Sequence, residues 1–196
     1  MSLAKLQSSV VANHMRGWID SMLSQYNHAT PRGQAAALAQ TPERWLKAIH
    51  EMTSGYEADI TQILGVQFDD VPTTEMVIVK RVPFTSLCEH HLFPFTGHAT
   101  VAYIPAASKV VGLSKLARLV EAHAMRFQVQ ERMTSDIVDD LMSHLRPQGA
   151  AALIEGRHAC MSCRGVRKNA SMVTSALRGC FKHAIVRQEF LQLATS

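Results

Sequence analysis

Two short clusters of metal-ligand side chains stand far apart in this chain, Cys88-Glu-His-His91 and His158-Ala-Cys160-Met-Ser-Cys163. If both serve one ion, the fold must bring distant segments together, which narrows the arrangements open to it. Cys88 and His91 have C-x2-H spacing, which lets one loop present a thiolate and an imidazole to the same ion. Sulfur and nitrogen ligands together favour zinc. Spacing leaves two kinds of site open. Cys88, His91, Cys160 and Cys163 would make a closed structural zinc. Cys88, His91 and Cys160 alone would leave a fourth position for water, the open arrangement of catalytic zinc, in which that water has a pKa near ~7. The spare histidines, His90 and His158, favour the open site, because each is placed to move protons beside a metal.

The rest of the chain is globular in composition, with 196 residues, 47% apolar and 18% charged. That is enough for one substantial domain with a helical appendage. The net charge of +4 suits an anionic small molecule, and no dense Lys/Arg block points to nucleic acid. The N-terminus lacks the continuous apolar core of a secretory signal, and no run approaches the roughly 18 apolar residues of a membrane span. The four cysteines, Cys88, Cys160, Cys163 and Cys180, are too few for a disulfide scaffold. A reducing, cytoplasmic compartment is therefore expected.

Apolar residues recur at helical spacing from Leu3 to Tyr26, and NHATPRGQAA then interrupts. Thr41-Pro42 carries the signals of a second helix start, with Trp45, Ile49 and Met52 on its buried face and Gly55 placed to end it. Thr74 to Phe84 and His98 to Ile104 read as strands, the latter ended by Pro105. Leu113, Leu116, Val120 and Ala124 mark a helix, and Ile137, Leu141 and Leu145 another, stopped at Arg146-Pro147. Ala150 to Ile154 reads as a short buried strand leading into His158, and a closing helix is expected near residues 187–193. The order predicts an α+β fold with helices packed on one face of an antiparallel sheet.

With both clusters in hand, the chain resembles the GTP cyclohydrolase I family. The matching segments are TPERWLKAIHEMTSGY (41–56), SLCEHHLFPFTGHATVAYIP (86–105), GLSKLARLVEAHAMRFQVQER (112–132) and HACMSCRGV (158–166). VTSALRGCF and RQEFL extend the likeness to the C-terminus. The chain departs from the family wording at Cys163, at Met172 and before Thr41.

The resemblance implies a tunnelling fold over residues 61–196 behind an N-terminal helical segment, 1–60, and assembly into a ring, a homodecamer with active sites between subunits. It implies zinc on Cys88, His91 and Cys160, with His90 and His158 as catalytic histidines and Ser114 in the later rearrangement. Lys115, Arg118 and Arg164 would hold the triphosphate of GTP, joined by Arg44 and Lys47, often from a neighbouring subunit. Gln130 and Glu131 would read the guanine edge. The implied reaction is attack of a zinc-bound hydroxide on C8, loss of formate and closure to 7,8-dihydroneopterin triphosphate, feeding folate, another pterin or a deazaguanine such as queuosine. The chemistry of the side chains agrees. Arginine and lysine are natural partners of a triphosphate, Lys115 and Arg118 share one helix face, and a carboxylate at Glu131 suits the N1–H and amine of guanine.

Overall fold

The computed structural model describes residues 3–25, 38–68, 73–106 and 110–196. They form two compact units, Met1–Met52 and Thr53–Ser196. In the first, α1 (Leu3–Gln25) is followed by α2 (Thr41–Met52). Arg16 of α1 pairs with Glu43 of α2. Pro42 is buried at the start of α2, where its missing N–H costs nothing. Trp45, expected on the buried face, is 37% exposed. The interrupting NHATPRGQAA segment and Tyr26 lie outside the described residues.

The second unit opens with a 3-10 turn at Ser54–Glu57 and the short α3 (Ile60–Leu64), capped by Asp59. Gly55 does not cap α2, which has ended at Met52. Its N–H donates to the Met125 carbonyl (2.8 Å), and a Cβ there would collide with the Ala122 and Met125 carbonyl oxygens. Close approach of backbones therefore explains the glycine.

The strands and helices that follow are β1 (Gln67–Phe68), β2 (Val77–Cys88), β3 (Pro94–Ile104), β4 (Val110–Val111), α4 (Leu113–Ala124), β5 (Phe127–Gln128) and α5 (Gln130–Leu145). They continue with β6 (Gly149–His158), α6 (Ala159–Ser162), β7 (Ser171–Gly179) and α7 (Ala184–Thr195). β1 pairs with β4, and the main sheet has the order β5-β2-β3-β6-β7. Its long pairings are antiparallel, as expected, while β5 joins β2 in parallel through Leu87–Phe127 and Cys88–Gln128. α5 stops at Leu145 with Arg146 left-handed (φ 47°), since a residue before proline avoids the right-handed helical region.

Alternation along the strands divides the core. Ala99, Val101 and Tyr103 of β3 and Ala150, Ala152 and Ile154 of β6 face α4 and α5, packing with Leu116, Leu119, Val120, Met133, Ile137 and Leu141. On the opposite face Ala102 and Ala151 meet Phe181 and Phe190, which brings α7 against the sheet. Phe181 and Phe190 are fully buried and meet edge to face, 5.6 Å apart. Burying a side chain of that size contributes about 1.5–3 kcal/mol.

The register sets up the site. β2 ends at Cys88, β3 begins at Pro94 opposite Leu87, and Phe95 of β3 pairs with His158 at the end of β6. The two ligand-bearing clusters of the sequence thus meet at one end of the sheet.

Candidate metal and substrate site

The connection from β2 to β3 is a tight hairpin loop. The Cys88 carbonyl accepts from Leu92 N (2.8 Å) and His91 N (3.3 Å), and Cys88 N donates to the Phe93 carbonyl (2.9 Å). Leu92 adopts φ 55°, which reverses the chain at that point. Glu89 N donates to the Gln128 carbonyl (3.0 Å), tying the loop to β5. Cys88 is buried and His91 exposed, so one turn holds its thiol in the core and its imidazole at the surface. The His91 ring stacks on Phe93 at an interplanar angle of 10°.

Cys160 comes from the first turn of α6, immediately after β6. The Sγ atoms of Cys88 and Cys160 and a ring nitrogen of His91 all lie within 4.8 Å of one another. Burial, with the Cys88 thiol beside it, pushes the Cys160 thiol up from its ordinary range. A cation would reverse that penalty by favouring thiolates, so a group of two sulfurs and one nitrogen fits zinc. Cys163 is exposed and is not part of this group. Among the described residues the group therefore offers three candidate ligands, the number an open site uses.

His90 follows in the same loop, its Nδ1 3.8 Å from Cys88 Sγ. His158 lies against the site from β6, its ring stacked on Phe95 with centroids 4.5 Å apart and an angle of 4°. Burial holds the His158 imidazole below its ordinary range, while the Glu131 carboxylate acts in the opposite direction. Arg164 donates to His91 Nε2 at 3.0 Å, which puts a guanidinium beside the ligand group.

The family resemblance implies a guanine-reading pair at Gln130 and Glu131, and the two differ in the structure. Glu131 is exposed and makes no hydrogen bond or ion pair with the described residues. Its neighbour Arg132 is engaged elsewhere, with Glu89, Gln128 Oε1 (3.1 Å) and the Phe127 carbonyl (3.2 Å). Gln130 is buried, and its Oε1 lies 3.0 Å from His158 Nε2. That contact spans 28 residues of sequence, which no local pattern reveals. Glu89, to which sequence reasoning gave no role, is the carboxylate that Arg132 grips.

Ser114, Lys115 and Arg118 lie in the first two turns of α4, whose N-cap Gly112 offers no side-chain cap, while the Lys115 amide donates to the Gly112 carbonyl (2.8 Å). Arg44 and Lys47 lie on α2, in the other compact unit.

The sequence profile described as GTP cyclohydrolase I matches residues 19–195. The chain belongs to the GTP cyclohydrolase I family. Relatives named GTP cyclohydrolase 1 include one from Wolinella succinogenes, 51% identical over 79% of this chain and 83% of its own length. Another, from Campylobacter concisus, is 48% identical over 81% of this chain and 84% of its own. A crystal structure of the archaeosine synthase QueF-Like in the apo form is more distant, with a TM-score of 0.41 and 13% identity over 55% of this chain and 96% of that one. Among the described residues no helix is long and apolar enough to cross a membrane.

Proposed function

We propose that this chain hydrolytically opens the imidazole ring of GTP at C8, releases formate, and carries the product to 7,8-dihydroneopterin triphosphate. Enzyme identity follows from the family profile and from relatives 51% and 48% identical over most of both chains: the chain is a GTP cyclohydrolase I. The observation that carries the chemistry is the meeting of Cys88, His91 and Cys160 beside two non-ligand histidines. Zinc held by those three residues would supply an activated water to a carbon of the purine.

The chain's own groups divide the remaining work. His158, kept neutral by burial, takes up and returns a proton at the imidazole nitrogen of the substrate, with His90 as the second proton carrier. Glu131, exposed and with no side-chain hydrogen bond or ion pair to the described residues, accepts the N1–H and exocyclic amine of guanine. Lys115, Arg118 and Arg164 neutralise the triphosphate, helped by the uncapped start of α4. Ser114 contributes to the sugar rearrangement. Arg44 and Lys47 complete the anion pocket from a neighbouring subunit of a ring, for which a decamer is the natural count in this family. The enzyme works in the cytoplasm, at the head of folate, another pterin or a deazaguanine pathway.

The test is purified protein with GTP. Formate and a product that oxidises to a fluorescent pterin are expected in equal amounts. A zinc-loaded protein that yields neither would sink the reading.

A further inference from the structure

Gln130 opens α5 and is 1% exposed. Its amide nitrogen donates to the Ile154 carbonyl (3.0 Å) and the Met172 carbonyl (3.0 Å), and lies 3.1 Å from Thr174 Oγ1. Carbonyl oxygens only accept, so the amide nitrogen has to face them; the flipped amide would set oxygen against two oxygens. Oε1 therefore faces His158 Nε2 at 3.0 Å. Because Oε1 also only accepts, His158 Nε2 must carry the hydrogen, which leaves the lone pair of the neutral ring on Nδ1.

A second set of contacts holds the amide. Thr134 Oγ1 donates to the Gln130 main-chain carbonyl one turn earlier (2.6 Å) and lies 2.6 Å from Thr174 Oγ1, which touches the side-chain amide nitrogen. With its hydrogen already placed, Thr134 accepts from Thr174, and Thr174 Oγ1 shares one of the two Gln130 amide hydrogens with a neighbouring carbonyl oxygen. Each hydroxyl hydrogen has one place to go. Gly156 makes the room, since a Cβ there would collide with Gln130 Oε1. Phe95 fixes the plane of the His158 ring by stacking.

We propose that Gln130 is a positioning residue for His158, fixing its Nε2–H tautomer so that Nδ1 is the atom exchanging protons with substrate, with Thr134, Thr174 and Gly156 holding the Gln130 amide in place. This rests on His158 being the proton carrier of the reaction above. It also moves Gln130 away from the guanine edge, because both hydrogens of a buried amide are already bound within the protein.

The test uses the zinc-loaded enzyme with 15N-labelled histidine, observed by solid-state NMR at about pH 8, where imidazole is neutral. His158 is assigned by the signals missing from His158→Asn. Wild type is expected to show His158 as the Nε2–H tautomer alone. Gln130→Met removes the acceptor and is expected to give both tautomers, a kcat for formate release lower by about 10²-fold, and a KM for GTP within about threefold of wild type. Thr134→Val leaves Gln130 in place and is expected to lower kcat by about threefold to tenfold at unchanged KM; it supplies the kinetic arm if Gln130→Met does not fold. A wild-type His158 found as the Nδ1–H tautomer overturns the proposal, as does a Gln130→Met enzyme that keeps kcat and raises KM. If wild type releases no formate from GTP, the functional reading fails, while the tautomer signal still decides the positioning role.

Discussion

The Arg132 guanidinium closes on the Glu89 carboxylate, joining the residue between Cys88 and His90 to the first turn of α5, where Glu131 stands. One ion pair thereby couples the loop carrying two metal ligands to the helix expected to hold guanine. Arg132 draws the Glu89 carboxyl below its usual range. The pair is exposed, so its contribution to stability is small. Its value lies in placement. Arg132→Met is expected to lower kcat/KM for GTP by about tenfold with little change in melting temperature. Glu89→Gln, which keeps an acceptor for Arg132, should lose less than Glu89→Ala. Steady-state kinetics beside thermal melts decide this; a large drop in Tm with normal kinetics would assign the pair to stability instead.

Cys163→Ser should keep about one zinc per chain, because Cys163 lies outside the ligand group. Cys160→Ser should lose most of its zinc under the same dialysis, since a thiolate ligand is replaced by a neutral hydroxyl. Metal analysis of the two variants separates the open three-ligand site from a closed cage.

Glu131→Gln replaces a double acceptor by a group that offers a donor to a donor-rich guanine edge. A charged hydrogen bond of this kind is worth about 1.5–3 kcal/mol, so KM for GTP should rise by about 10–100-fold, with folding unchanged. Titration of GTP turnover checks it, and an unchanged KM would remove Glu131 from the pocket.

The grouping of Cys88, His91 and Cys160 was legible because metal-ligand side chains leave a spacing signal in two short segments. Its supports were not. Glu89–Arg132 and His158–Gln130 join residues 43 and 28 positions apart, and each pair exists only because sheet register places the end of β2 or β6 beside the start of α5. The strands show the same limit. Thr74 to Phe84 predicts the N-terminal part of β2, but the strand begins at Val77 and runs on to Cys88. Its polar end continues because Ser86 and Leu87 pair with β3, and Leu87 with β5 as well. Hydrophobic periodicity cannot register Ser86, which is fully buried. The bulge between Val79 and Val82, with Arg81 at φ 55°, leaves no local mark either.

His123 is 3% exposed, with Nε2 2.8 Å from Asp140 Oδ2 and Nδ1 buried without a hydrogen-bond partner among the described residues. Burial pushes its imidazole below the ordinary range, with Arg126 acting in the same direction and Asp140 and Asp136 against it. The unfolded chain therefore binds a proton that the folded chain refuses. The associated stability is complete above about pH 6.5 and falls as pH drops below it, by at most about 1.4 kcal/mol per unit for one proton. His158 carries a shift of the same sign, so His123→Gln should flatten the pH dependence of denaturant midpoints below about pH 6.5 without abolishing it. An unchanged slope in that variant would show that His123 is not the group responsible.

The most direct measurement is formate release from GTP as zinc is returned to chelator-treated protein. Activity should be absent after chelation and rise linearly with added zinc, reaching a plateau at about one ion per chain, the stoichiometry of a three-ligand site with one open position. Full turnover in the chelated, zinc-free protein would contradict the account, as would a protein that binds one zinc per chain and leaves GTP intact.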